Sequence, residues 1–287
     1  MIQRSISKII NPRDEAGFLG DGHIARSIVN GEFVQTDPFI FLMDDMLDKK
    51  NNEPAGGRHP HAGFETVSLM IEGEFNEMLE TMKKGDFQVM TAGSGIVHTE
   101  TIYGPTNGRL LQMWLNLPKK DRKVTPRLQV LTAEQVPTIK KEGLYIRVYS
   151  GNIDGVQSPV QNYTPLIAAE LEMNAGVSYS IRIPANFNSF FYVLQGSVEI
   201  NGKEIYADQA AWLDLYDEAT DSGLNITAGA GGLRMVFYAA KPTGEPIVSQ
   251  GPFIADTPEE IKSLYAQFRH GEMQHISEAP AEQKIFY

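Results

Sequence analysis

The chain has 287 residues, of which 42% are hydrophobic, 21% charged and 9% aromatic, with 25 basic against 36 acidic residues and a formal charge of −11. At about 100 to 200 residues per domain, this length suits two globular domains with a sizeable core, and the acidic excess repels phosphate backbones and anionic lipid, which argues against direct nucleic-acid or membrane-surface binding. With no cysteine in the sequence, disulfides, thiolate zinc sites, iron–sulfur clusters and cysteine nucleophiles are excluded, so any metal has to be held by His and carboxylate.

The opening MIQRSISKIINPRDE lacks an apolar run followed by a small-residue cleavage site, and nowhere does the chain reach about 18 uninterrupted apolar residues, so a cytoplasmic protein without membrane spans is expected. Along the chain, FETVSLMIEGE, GRLLQMWLNLP, LYIRVYSGN, SVEINGKEIY and LRMVFYAAKP alternate with Gly, Pro and Asn punctuation, which reads as an all-β protein with few helices. Between Pro118 and Gly143 the strand pattern weakens, and seven of the 25 basic residues collect there. We read this stretch as a connector, placing domains at 1–132 and 133–287. Its acidic interruptions and lack of interleaved aromatics disfavour a nucleic-acid patch.

A short internal repeat spans the connector. The apolar run 66–72 closing on Gly73 resembles 190–195 closing on Gly196. Next, Asn201-Gly202 between two β-prone tetrads predicts a two-residue type I′ hairpin. Near the end, Thr257 can cap a helix opened by Pro258, with Glu259 and Glu260 at its positive end and Ile261, Leu264, Tyr265 and Phe268 along one apolar stripe. Two apparent motifs fail in context. TAGSG has Ala92 where a nucleophile elbow needs glycine, and the glycines at 229–232 lead into a strand rather than a phosphate-binding helix.

The chemistry gathers in RHPHAGFE and GIVHTE, where His59 and His61, and His98 and Glu100, are each spaced i, i+2. On extended strands both members of a pair share a face, so two adjacent strands can direct three imidazoles and a carboxylate to one point. That set suits a divalent Fe, Ni, Cu, Mn or Zn ion. The competing explanation is a group of hydrogen-bonded polar residues at a sheet edge. Glu65 shares the nominal parity of His59 and His61, and it is either a fifth ligand or an acceptor that orients a histidine or arginine. His23, His270 and His275 are expected at the surface or terminus.

HPHAGFETVSLMIEGE, GDFQVMTAGSGIVHTE, LQMWLNLP and EPIVSQGPFIADTPEEI occur in the order found in the pirin family of bicupins, and the resemblance extends from DPFIFLMDDM to the late helix. It implies two cupin-type β-sandwich (double-stranded β-helix) domains with few short helices. Metal, usually Fe(2+), would lie in the N-terminal domain on His59, His61, His98 and Glu100, with Glu65 not a ligand. Departures are the short segment GEFNEMLETMKKGD, which lacks the usual His-x-Asp, and Val89 where Trp is common, and both bear on substrate identity. No histidine occurs between His98 and His270, so the second domain cannot supply imidazole ligands.

Some pirin-like proteins show quercetin 2,3-dioxygenase activity, so the resemblance implies a metal-dependent dioxygenase acting with O₂ on a flavonol or related enolisable phenol, with Glu100 both ligand and catalytic base. Other pirin-like proteins regulate transcription factors or metabolic enzymes, which implies the alternative of an iron-containing, redox-responsive protein with a protein partner. A sugar-binding or isomerising cupin is a third reading, for which no polar substrate set is recognisable beyond the metal residues.

Overall fold

The computed structural model describes residues 1–77 and 79–287 and is built mostly of strands, with one long helix, Pro258–Arg269, one short α-helical turn, Phe33–Thr36, and three 3₁₀ turns among the described residues. The chain forms two compact units, residues 14–135 with 243–287, and residues 136–242 with 1–13. The two ends of the chain are exchanged, residues 1–13 grouping with 136–242 and residues 243–287 with 14–135. Pairing explains the exchange. Ile6–Ile10 runs antiparallel to Ala210–Leu213, while Lys284–Phe286 lies parallel to Arg127–Leu131 in the other unit.

In the unit of residues 14–135 with 243–287, one sheet runs in the order Lys284–Phe286, Arg127–Leu131, Phe87–Thr91, Phe64–Glu77, Thr106–Asn116, Phe39–Lys49, His23–Val29 and Asp14–Ala16. A separate antiparallel ribbon, Ala55–His61 with Ile96–Ile102, carries the histidines. The segment 73–86 forms the end of Phe64–Glu77 and its hairpin partner Glu80–Lys83; Met78 lies outside the described residues. Val89, at the position where Trp is common, is buried in the sheet between Val67 and Gln129.

The expected connector instead contributes a strand to each unit, Arg127–Leu131 and Thr138–Lys141. Its basic run is not a free cationic face, because Arg122 is only 2% exposed and pairs with Asp256. The predicted helix is present. Thr257 accepts from the Glu260 amide and Pro258 occupies the first turn, while Leu264, Tyr265 and Phe268 pack with buried Ile261 against Ala62, Val97 and Phe253.

In the other unit, alternation along Leu166–Met173 sends Ile167, Ala169, Leu171 and Met173 into a core shared with Ile146, Phe191, Met235 and Phe237. Glu170 lies on the opposite face, where Arg147, Arg234 and Tyr149 donate to its carboxylate. This interior is filled with aliphatic and aromatic side chains, leaving no cluster of metal-binding groups within it among the described residues. The Asn201-Gly202 hairpin forms as expected, with Ile200 opposite Lys203 and φ of +51° and +76° at the two turn residues. The internal repeat has a structural counterpart as well. Gly73 and Gly196 have φ of +73° and +71°, and a Cβ on either would lie within 2.1 or 1.9 Å of a carbonyl oxygen on the neighbouring strand.

Arg4 anchors the N-terminal segment. It is 1% exposed and donates to the carbonyls of Pro184, Ala185 and Phe187 and to the Ser222 hydroxyl. Arg4→Met should therefore destabilise this unit by about 3 kcal/mol, since several buried acceptors lose their donor at roughly 1 to 3 kcal/mol each before relaxation. The only two tryptophans, Trp114 and Trp212, fall one in each unit. In single-tryptophan backgrounds, urea unfolding should shift more for Trp212 than for Trp114, and equal shifts would contradict this anchoring.

Candidate metal centre

The histidine ribbon is held in an unambiguous register, with His98 opposite His59, Ile96 opposite His61 and Glu100 opposite Gly57. Strand alternation then puts His59, His61, His98 and Glu100 on one face. Glycine is required where the strands approach most closely, because Gly56 has φ +84° and a Cβ there would lie 2.1 Å from the Glu100 carbonyl oxygen. One ring nitrogen from each of His59, His61 and His98 lies within 4.8 Å of the others. The His59 and His98 Nε2 atoms are 2.8 Å apart.

The Nδ1–H of His59 donates to the Gly57 carbonyl at 2.9 Å, which fixes its tautomer and leaves Nε2 with a lone pair toward the cluster. His61 and His98 are buried, and Nδ1 of each lacks a hydrogen-bond partner. Burial, reinforced by His59, lowers the His61 pKa to about 3 against a weaker opposing effect of the Pro252 carbonyl. Burial likewise lowers His98, with His61, His59 and His275 adding repulsion to its protonated form. Neutral imidazoles keep the lone pairs a metal needs, and orphaned buried nitrogens are groups that a cation would satisfy. This donor set fits a divalent transition ion.

Glu100 stands at the edge of the cluster, 16% accessible, with Oε1 3.4 Å from His98 Nδ1 and Oε2 3.9 Å from His59 Nε2. Gln112 donates to it at 3.4 Å. Burial raises its pKa, opposed by His59 and the Gln112 hydrogen bond and assisted by the negative charge of Asp45.

Glu65 lies elsewhere. It is fully buried and accepts a hydrogen bond from Thr91 at 2.8 Å, outside the histidine group. The parity argument that linked it to His61 fails because the extended run breaks at Gly63, φ +88°, between Ala55–His61 and Phe64–Glu77. His23 also departs from expectation. Rather than lying at the surface, it is 3% exposed and bonds Asp45 through Nε2 at 2.8 Å. His275 is half-buried behind the ribbon, with Nε2 3.0 Å from the Thr99 hydroxyl, whereas His270 is exposed as expected.

Sequence reasoning missed several neighbours. Gln112 and Trp114 share a strand face by the same i, i+2 spacing that marked the histidines, and this was the available signal. Trp114 stacks on Phe64 with a centroid separation of 4.1 Å and meets His61 edge-on at 5.1 Å. Asp45, which influences Glu100, carried no comparable signal because its approach depends on the pairing of Phe39–Lys49 with Thr106–Asn116.

Two family models match the chain, Pirin over residues 22–115 and the Pirin C-terminal cupin domain over residues 168–274. The chain belongs to the pirin family. A pirin-like protein from Solanum lycopersicum is 34% identical over 88% of this chain and 87% of its own length, and human Pirin is 31% identical over 93% of each. Among solved structures, a Geobacillus kaustophilus protein is 32% identical with a TM-score of 0.78, covering 85% of this chain and 99% of that one. A quercetin 2,3-dioxygenase from Acinetobacter baumannii has a TM-score of 0.82 at 23% identity over 96% and 99%, a likeness of fold. The bicupin β-sandwich fold expected from the pirin resemblance is thus established.

Protein purified without a His tag should retain about one divalent metal ion per chain by elemental analysis. His61→Ala should remove most of it, and His270→Ala none. Equal losses would overturn the grouping.

Proposed function

We propose that this pirin-family protein is a metal-dependent dioxygenase that uses O₂ to cleave a flavonol or related enolisable phenol, with Fe(2+) held by His59, His61, His98 and Glu100. The observation that carries the reading is the meeting of three imidazoles, two of them held neutral by burial, with the carboxyl of Glu100 on one ribbon face. The bicupin fold shared with a quercetin 2,3-dioxygenase supports the reaction class, and the related fold of the Escherichia coli pirin YhhW in complex with nickel(II) supports a metal in this scaffold.

When bound, a divalent ion supplies a Lewis-acidic, redox-active centre with a net charge of about +1 beside Glu100. The protein does the rest. His59 is oriented by the Gly57 carbonyl, and burial keeps His61 and His98 uncharged, so neither of these two needs to lose a proton before serving as a ligand. Glu100, with its raised pKa and its Oε1 oriented by Gln112, is the group suited to take the hydroxyl proton as an enolisable substrate becomes an anion. Trp114, backed by the buried ring of Phe64, borders the cluster on the His61 side and supplies flat apolar surface for an aromatic ring.

Glu100 rather than Glu65 is the proposed carboxylate ligand. Glu100→Gln should alter the spectrum of the metal-loaded protein and remove proton acceptance, whereas Glu65→Gln should weaken metal binding by at most about 10 to 100-fold through misplacement.

The function is tested by stopped-flow absorbance of the iron form mixed with quercetin and O₂, beside apo-protein and Glu100→Gln, with products identified by mass spectrometry. Oxygen-dependent cleavage by the iron form alone is the expected result. Because Glu100 keeps the proton that the substrate hydroxyl loses, apparent substrate affinity should stay flat with pH between the pKa of Glu100 and that of the hydroxyl, and should rise by about tenfold per pH unit over the same range once Glu100→Gln removes the acceptor. Absence of O₂ uptake across flavonols and catechols, together with a change in affinity for a protein partner on iron oxidation, would replace the enzyme reading with a regulatory one.

A further inference from the structure

The structure assigns a second small-molecule site, separate from the metal cluster, in the cavity beneath the helix Pro258–Arg269. We propose that it takes a small neutral aromatic compound bearing one carbonyl oxygen, and that its occupancy is transmitted to the histidines. The cavity has a volume of about 270 Å³. That is below the usual range of about 300 to 1,000 Å³ for drug-sized ligands and sufficient for a single substituted ring.

The cavity is lined by Ala62 and Gly63, by Gly93 and Ser94, by Ile254, whose amide donates to the Ala62 carbonyl at 2.9 Å, and by Leu264 of the helix. The first four of these form two turns. Residues 62–63 directly follow His61, and residues 93–94 lead into Ile96–Ile102, which carries His98. The turns are joined because the Gly63 amide donates to the Gly93 carbonyl at 2.9 Å. They are also packed to their limit. A Cβ on Gly63 would lie 2.0 Å from the Ile254 carbonyl oxygen, and one on Gly93 would lie 2.1 Å from that of Val124. A ligand that displaces either turn cannot be absorbed by slack at these positions, so movement passes into the histidine strands.

Charge and hydrogen bonding set the ligand class. Arg122 and Lys123 line the cavity, but Arg122 pairs with Asp256 and Lys123 with Glu260, leaving the local charge balanced. A neutral ligand matches that balance better than an anion. In the Arg122 guanidinium, Nη1 and Nη2 are partnered by Asp256, Asn116 and the Leu117 carbonyl, whereas Nε is buried without an acceptor and meets a ligand in the cavity through a small shift of the guanidinium. An unmet buried N–H is costly, and a ligand carbonyl would satisfy it. The aliphatic faces of Leu264, Ile254 and Ala62 suit the ring.

Benzamide is the probe. Proton–nitrogen correlation spectra of the full-length, metal-free protein should show saturable shifts at Gly63, Gly93, Ser94 and Leu264, with a dissociation constant on the order of 1 mM, a range open to a ligand of about nine non-hydrogen atoms. The Hε1 resonances of His61 and His98 should shift with the same saturation curve. Ethylbenzene, which lacks the acceptor, and benzoate, which adds a charge, should each bind at least about fivefold more weakly. Ser263 is exposed at the cavity lining, so Ser263→Trp should leave the thermal midpoint near that of the parent while reducing benzamide affinity by about tenfold or more. No saturable shifts, or full affinity in Ser263→Trp, would overturn the site. Equal benzoate binding would overturn the neutral class, and shifts confined to the cavity wall would overturn the transmission to the histidines.

Discussion

The register of one short antiparallel ribbon governs the chemistry of this protein. Opposing His98 to His59 brings two Nε2 atoms to 2.8 Å, and the alternation of side chains then adds His61 on the same face. A slip of one residue would turn the side chains of one strand away from those of the other, separating His98 and Glu100 from His59 and His61 and dispersing the site. Glycines make the pairing possible. Gly56 admits the close approach of the Glu100 backbone, and Gly57 both offers its carbonyl to His59 and leaves the cross-strand position beside Glu100 without a side chain.

The same constraint separates what was legible in the sequence from what was not. The i, i+2 histidine pairs could be read because strand parity is local, and the Asn201-Gly202 turn and the Thr257 cap were legible for the same reason. Glu65 misled the parity argument. Its count of residues from His61 is even, but the chain bends at Gly63, and a parity rule holds only along an unbroken strand. His23 and Asp45 were invisible as a pair because they meet only after their strands align, and no spacing in the chain encodes that meeting. The exchange of chain ends was hidden in the same way, since Ile6–Ile10 reads as a β-prone segment whose partner, Ala210–Leu213, lies about two hundred residues later.

The two units show how one architecture can be either a site or a core. In residues 136–242 with 1–13, the inward positions are Ile, Leu, Val, Met and Phe, and their packing leaves no polar group to hold a metal. In the other unit, three inward histidines replace part of such packing, with two ring nitrogens left unsatisfied in the metal-free chain. Burying polar nitrogen without a partner opposes folding. The cost is tolerable in a unit whose remaining strands are densely paired and whose helix adds Ile261, Leu264 and Phe268 behind Val97 on the histidine ribbon.

The site is also polarised. Around His61 the neighbours are Phe64 and Trp114, and around Glu100 they are Gln112 and the charge of Asp45. Burial keeps His61 neutral, while Glu100, beside His59 and His98, remains partly accessible. A ligand with a flat apolar body and one acidic hydroxyl would find its two ends matched by this arrangement. A uniformly polar ligand such as a sugar would have to place hydroxyls against the ring of Trp114 without hydrogen-bond partners there. On the proposed reading, the balance of burial around these side chains suits an aromatic rather than a carbohydrate ligand, independently of the chain's net charge, because that charge is distributed over the surface and screened over about 8 Å at physiological salt.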